Sequence, residues 1–229
     1  MNNKLKKLRA EIKQLSKDAE SSGTPLSWFE ELYLKADRNS EEIPWARMNP
    51  HPKMVEWIKN NPEIKGNALV VGCGLGDDAE WLVNNGFNVT AFDVSKSSIE
   101  WCQERFPHSL VNYCTVDLLS HPHYWEKSFD LIVEIHILQA IPEKIRESAA
   151  EILPKLLTST GNLLCIGRLL DKNTDDYSGP PWSLKQDWLE NKFKKLQKIY
   201  FSTFSVEHNY TCGDFPNVTR YIGVWKNKK

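Results

Sequence analysis

Ala68-Leu-Val-Val-Gly-Cys-Gly-Leu-Gly-Asp-Asp78 joins an apolar run to alternating glycines and a pair of acids. A helical pattern follows at Ala79, Leu82 and Val83, and a second apolar run, Asn88-Val-Thr-Ala-Phe-Asp93, ends on a carboxylate. Strand, glycine turn, helix, strand and acid form the layout of a nucleotide-binding βαβ unit. The glycines let the backbone approach a ligand, and the acid can hold two ribose hydroxyls.

The glycine spacing narrows the ligand. A dinucleotide site uses G-x-G-x-x-G, with the third glycine packing helix on strand beneath a pyrophosphate. Gly72, Gly74 and Gly76 instead alternate, and Asp77 stands at the third dinucleotide position. Asp77 and Asp78 suit a helix start but repel a pyrophosphate. A ligand with ribose hydroxyls and a cationic centre matches better, and S-adenosyl-L-methionine has both, with no phosphate. A turn that merely connects strand to helix is the plainer alternative, and Asp93 weighs against it.

At 229 residues the chain suits one α/β domain with decoration. A formal charge of -1 argues against nucleic acid held by bulk electrostatics. No apolar run reaches the length of a membrane span, and the first residues lack the apolar core of a signal peptide. The five cysteines are odd in number and form no C-x-x-C, so a reduced, cytoplasmic compartment is expected. His121-Pro-His123 is a close histidine pair with no cysteine near it in sequence, so no metal site is expected. The partner is then a small molecule, on a monomer or weak homodimer.

Residues 3–20 carry Leu5, Leu8, Ile12 and Leu15 among lysines, an apolar stripe opposite a basic face. A short helix is expected over Leu26–Lys35, capped by Ser27, and another over Met54–Asn60. From Ala68 onward the pattern predicts strands at 68–71, 88–92, 111–114, 129–134 and 162–167, with helices at 77–85, 96–105 and 143–157. Such alternation implies a parallel sheet covered on both faces. A helix around 184–191 follows. Lys194–Phe204 and Thr219–Trp225 then read as two strands with no room for a crossover helix, hence antiparallel. Residues 1–60 are expected to form an extension lidding the sheet's carboxyl edge, and 61–229 the main domain.

These features resemble class I S-adenosylmethionine-dependent methyltransferases: a Rossmann-like α/β fold with a mostly parallel seven-stranded sheet, a C-terminal antiparallel hairpin and helices on both faces. The decorations are similar to the thiopurine and thiol/halide methyltransferase group. Pro44-Trp45 with Pro52, Phe129-Asp-Leu-Ile-Val-Glu134 with Leu138 and Ala140-Ile-Pro142, and Gly179-Pro-Pro-Trp182 carry that likeness. Ala46 and Met48 depart from it, as does Val70, where many relatives place an acid. The resemblance implies Gly72, Cys73, Gly74 and Gly76 against the methionyl part, with Trp45 folded over cofactor and substrate. It further implies Asp93 on the ribose hydroxyls, Val94, Asp117 and Leu118 around the adenine, and Glu134 at the methionyl end.

Methyl transfer from a sulfonium is an in-line displacement, so alignment and exclusion of water do most of the work. A base is needed only for a nucleophile that arrives protonated; a thiol of low pKa ionises nearly unaided. His136 and Glu134 are the candidate bases. Trp45 and Trp182 frame the expected pocket, while the other seven tryptophans are expected to pack helices and sheet. Arg168 can hold an anionic substrate. One of Asp77 and Asp78 can face the cofactor's amino group in place of the acid missing at Val70. His51, His108, His121, His123 and His208, with Asp175 and Asp176, read as surface or loop positions. The expected activity is methylation of a small molecule, with sulfur, selenium or halide as nucleophile and S-adenosyl-L-homocysteine as product. An O- or N-methyltransferase, or a silent cofactor-binding protein, is the alternative.

Overall fold

The computed structural model describes residues 3–170, 179–205 and 218–228; Asp175, Asp176, His208 and Cys212 lie outside them. Its strands are β1 (Gly66–Val71), β2 (Phe87–Asp93), β3 (Asn112–Thr115), β4 (Phe129–Ile135), β5 (Leu157–Arg168), β6 (Gln197–Ser205) and β7 (Thr219–Lys226). They form one seven-stranded sheet in the order β3-β2-β1-β4-β5-β7-β6. The first five run parallel, and β7 runs antiparallel to both β5 and β6. The expected architecture is therefore present, with strand ends displaced by up to five residues.

Period-two alternation divides each strand between two cores. Leu69 and Val71 face Ala149, Leu153 and Leu156 of α6 (Glu143–Leu156) and Leu189 of α7 (Gln186–Lys192). Ala68 and Val70 face the other way, onto Leu82 of α4 (Asp77–Asn84) and Met54, Trp57 and Ile58 of α3 (Pro52–Lys59). α3, which the sequence placed in the N-terminal extension, therefore packs its Met54, Trp57 and Ile58 into this core.

A third apolar cluster joins α1 (Asn3–Ser21) and α2 (Ser27–Ala36) to the body. Leu8 and Ile12 meet Trp28, Leu32 and Tyr33, and all pack with Leu75 beside the glycine turn and Trp101 of α5 (Lys96–Arg105). Polar contacts hold the same junction. Glu30 accepts from Ser95 Oγ at 2.6 Å, from Ser97 Oγ at 2.7 Å and from Ser97 N–H at 3.0 Å. Those bonds pull its pKa below the ordinary value against the burial that raises it. Ser27 is not the cap of α2. It is the first helical residue, Leu26 holds the cap position, and no side chain caps that end.

Candidate active site

The carboxyl ends of the five parallel strands meet at one sheet edge, where the connection direction reverses between β1 and β4. Open α/β sheets bind ligands at such a reversal. A cleft of about 270 Å³ opens there, roofed by residues from α1, α2 and the 44–49 segment. Of the residues singled out in the sequence, Trp45, Gly72, Cys73, Gly74, Asp93, Val94, Asp117, Leu118, His136 and Arg168 line it together.

The β1 and β2 ends build one half. Cys73 N–H donates to Phe92 O at 2.8 Å, and Gly74 N–H donates to Asp93 Oδ2 at 3.0 Å, drawing the turn onto the acid. Asp93 Oδ1 accepts from Ser95 N–H at 3.0 Å. Burial pushes the Asp93 pKa up to about 6 despite these bonds. Trp45 Nε1 donates to the Tyr33 hydroxyl at 2.9 Å, and Trp45 meets Trp28 and Phe29 edge to face, which closes the roof. Trp28, expected only to pack, also lines the cleft.

The two acids after the glycines have separate tasks. Arg105 donates to both Asp77 oxygens, at 2.9 and 3.2 Å. Asp78 Oδ1 accepts from His51 N–H at 2.6 Å, and among the described residues no guanidinium or ammonium contacts it. Burial, helped by the Asp77 charge, raises its pKa to about 6.

The other half is basic. His136 directly follows β4, in the left-handed region at φ 66, its N–H donating to Ile166 O at 2.8 Å. Arg47, Arg168 and Arg220 line the same cleft. Burial lowers the His136 pKa well below its ordinary value, and Arg220, His51, Arg168 and Arg47 push it the same way. His136 is therefore neutral at pH 7 and a reluctant proton acceptor.

Three residues take other places. Glu134 points with Ile132 away from the cleft. Its Oε1 accepts from Ile137 N–H at 2.7 Å and Leu138 N–H at 2.9 Å, so it anchors the loop after β4 from beneath. Burial raises its pKa to about 7. Trp182 turns its ring to Arg146, 5.2 Å from the centroid, and Pro180 and Pro181 line the cleft instead. Gly76 is the cap residue of α4, behind the turn. The reading also missed Arg47, Arg220, Tyr33 and His51. His51 is only 1% exposed, not a surface residue. Arg220 was findable only through the strand register, which sets it opposite Arg168.

This sheet order and edge define a class I S-adenosylmethionine-dependent methyltransferase. The chain belongs to the thiopurine S-methyltransferase family, whose model matches residues 35–211. It is 25% identical over 174 residues to the thiopurine S-methyltransferase of Legionella pneumophila (strain Corby), covering 69% of this chain and 77% of that one. Thiocyanate methyltransferase 1 of Brassica oleracea is 26% identical over 185 residues, covering 80% and 79%. In fold the chain is similar to the N-methyltransferase NodS of Bradyrhizobium japonicum in complex with S-adenosyl-L-homocysteine. That match has a TM-score of 0.65 at 16% identity and covers 87% and 98% of the two chains.

The chain is an enzyme that methylates a small molecule, with S-adenosyl-L-methionine as donor. The cleft fits that donor. Gly74, at φ 55, brings bare backbone to the cleft under Tyr33 and Trp45, where a Cβ would lie 3.3 Å from the Tyr33 hydroxyl, and the Asp93 carboxylate at the β2 end lines the same cleft. Among the described residues no helix is long and apolar enough to cross a membrane.

Proposed function

We propose that the enzyme methylates a small acceptor that reaches the cleft as an anion, a thiolate or selenolate first and a halide next. When bound, S-adenosyl-L-methionine supplies a methyl group already activated on a sulfonium. In this reading Asp93 accepts from the ribose hydroxyls, Val94, Asp117 and Leu118 bound the adenine, and Gly72, Cys73 and Gly74 flank the methionyl part. Trp45 and its aromatic neighbours cover both ligands and exclude water.

One observation carries the choice of acceptor. The group at the acceptor end with a titratable nitrogen, His136, is held neutral by burial and three guanidiniums. The same charges that make it a poor base lower the energy of an anionic nucleophile. Glu134, the other candidate base, does not line the cleft, and its Oε1 is taken by two backbone amides. Relatives named for thiopurine and thiocyanate methylation support sulfur as the attacking atom. The four described cysteines are all free, which supports a reducing, cytoplasmic compartment.

The test is release of S-adenosyl-L-homocysteine with thiols of graded acidity, thiocyanate, iodide, phenols and amines. Turnover should follow the thiolate fraction of each thiol and fail with amines. Turnover confined to phenols or amines, with a rising alkaline limb, would establish the base-catalysed alternative.

Asp78 takes the cofactor's ammonium in this reading, standing in for the acid absent at Val70. Asp78→Asn keeps an acceptor for His51 N–H but removes the charge. The expected result is about tenfold weaker cofactor binding at neutral pH, the scale of one charge-assisted hydrogen bond. Equal affinities by calorimetry would remove Asp78 from the site.

A further inference from the structure

Two buried imidazole nitrogens beside the basic half have no partner: His51 Nε2 and His136 Nδ1. The rings stand 5.8 Å apart at an interplanar angle of 66°. His51 does not line the cleft itself; it sits behind His136, its far side toward Phe204.

The state of His51 follows from its other nitrogen. His51 Nδ1 accepts from Lys53 N–H at 3.2 Å at the start of α3. A neutral imidazole has one donor and one acceptor, so an accepting Nδ1 leaves the proton on Nε2. His51 is neutral, because burial and the Arg47 and Arg220 charges pull its pKa down to about 3. A buried donor, His51 Nε2, therefore stands unmet beside the unpartnered Nδ1 of His136, and a buried polar atom left so costs about 1–3 kcal/mol. One water, which needs two or more polar partners to be held, satisfies both.

We propose that His51 donates through one ordered water to Nδ1 of His136, so that His136 keeps its proton on Nε2 and presents it as a hydrogen-bond donor to the anionic acceptor. The opposite tautomer would aim a lone pair at an anion. His136 is then the group that touches the acceptor, and His51 is a positioning residue that sets its tautomer. No proton is transferred: the acceptor arrives ionised, and both imidazoles end the reaction as they began it. This rests on the anionic-acceptor reading above.

His51→Asn separates this relay from a structural role. Asparagine is a good helix cap, so the bond to Lys53 N–H survives while the Nε2 donor is lost. The expected result is an unchanged cofactor affinity, with kcat/KM for a thiolate falling about tenfold. Nitrogen-15 spectra of the enzyme with S-adenosyl-L-homocysteine should show His136 protonated on Nε2 in the wild type and divided between tautomers in the variant. Wild-type His136 protonated on Nδ1, or identical spectra and kcat/KM in the two proteins, would overturn the proposal. The spectra need no acceptor, so they report on the relay even if the panel above returns amines or phenols. That second outcome would defeat the acceptor reading alone.

Discussion

Asp93→Asn weakens binding of S-adenosyl-L-methionine by about 100-fold at neutral pH, with little change in melting temperature. Two hydrogen bonds from ribose hydroxyls to a carboxylate contribute about 3 kcal/mol together, which is that factor. The fold tolerates the change because two effects oppose. The asparagine leaves one of Gly74 N–H and Ser95 N–H without its acceptor, but it also removes a charge whose burial holds the pKa at about 6. The sign of the pH dependence follows. With a folded pKa raised above the usual carboxylate range, ionisation costs the free fold stability; that cost starts to shrink as pH falls below about 6 and is gone below the ordinary value of 3.8. In the proposed role the ligand, by contrast, binds the ionised acid. Cofactor affinity should therefore decline as pH drops below about 6, for Asp93 and Asp78 alike. Calorimetry across pH 5 to 8 checks this, and a variant within threefold of wild type at neutral pH would remove the ribose role from Asp93.

Gly76→Ala is the second large effect, on stability. Gly76 has φ 87, where a side chain costs about 1–2 kcal/mol. An added Cβ would lie 2.5 Å from the Tyr113 hydroxyl and 3.2 Å from Cys102 Sγ. Moving Tyr113 aside breaks its 2.7 Å bond to Glu80, about 1 kcal/mol more. A total of about 3 kcal/mol lowers the melting point of a chain this long by about 10 °C. Scanning calorimetry gives the shift, and a fall of under about 3 °C would mean that the turn relaxes around the methyl. The third glycine of the motif thus shapes the turn against β3 and α5 and does not line the cleft.

The proposed cofactor half is legible because its information is local. Apolar period, glycine spacing and a terminal acid lie within one βαβ unit, and the fold places Gly72, Gly74 and Asp93 together through a few turns and one strand pairing. The acceptor half depends on packing between distant segments. His51 is set by the docking of α3 against the sheet, and Arg220 by the antiparallel register of β7, neither of which a local pattern contains. Glu134 was misplaced for a simpler reason. Alternation along β4 puts it on the face of Ile132, toward Cys165 and Tyr221, so the strand period already directed it beneath the loop. Trp182 shows the limit of a motif: Gly179-Pro-Pro reaches the cleft, while its aromatic partner goes to Arg146.

The pairing of Arg168 with Arg220 bears on how such an enzyme diversifies. In the proposed site most of the donor half, Gly72 to Val94, comes from one βαβ unit, so changes there are constrained by each other. The acceptor half draws single residues from the segment after Pro44, the loop after β4, the end of β5 and the start of β7. On the proposed reading, a lineage can exchange one anion for another by point changes scattered along the gene, while the machinery that presents the methyl group is inherited intact.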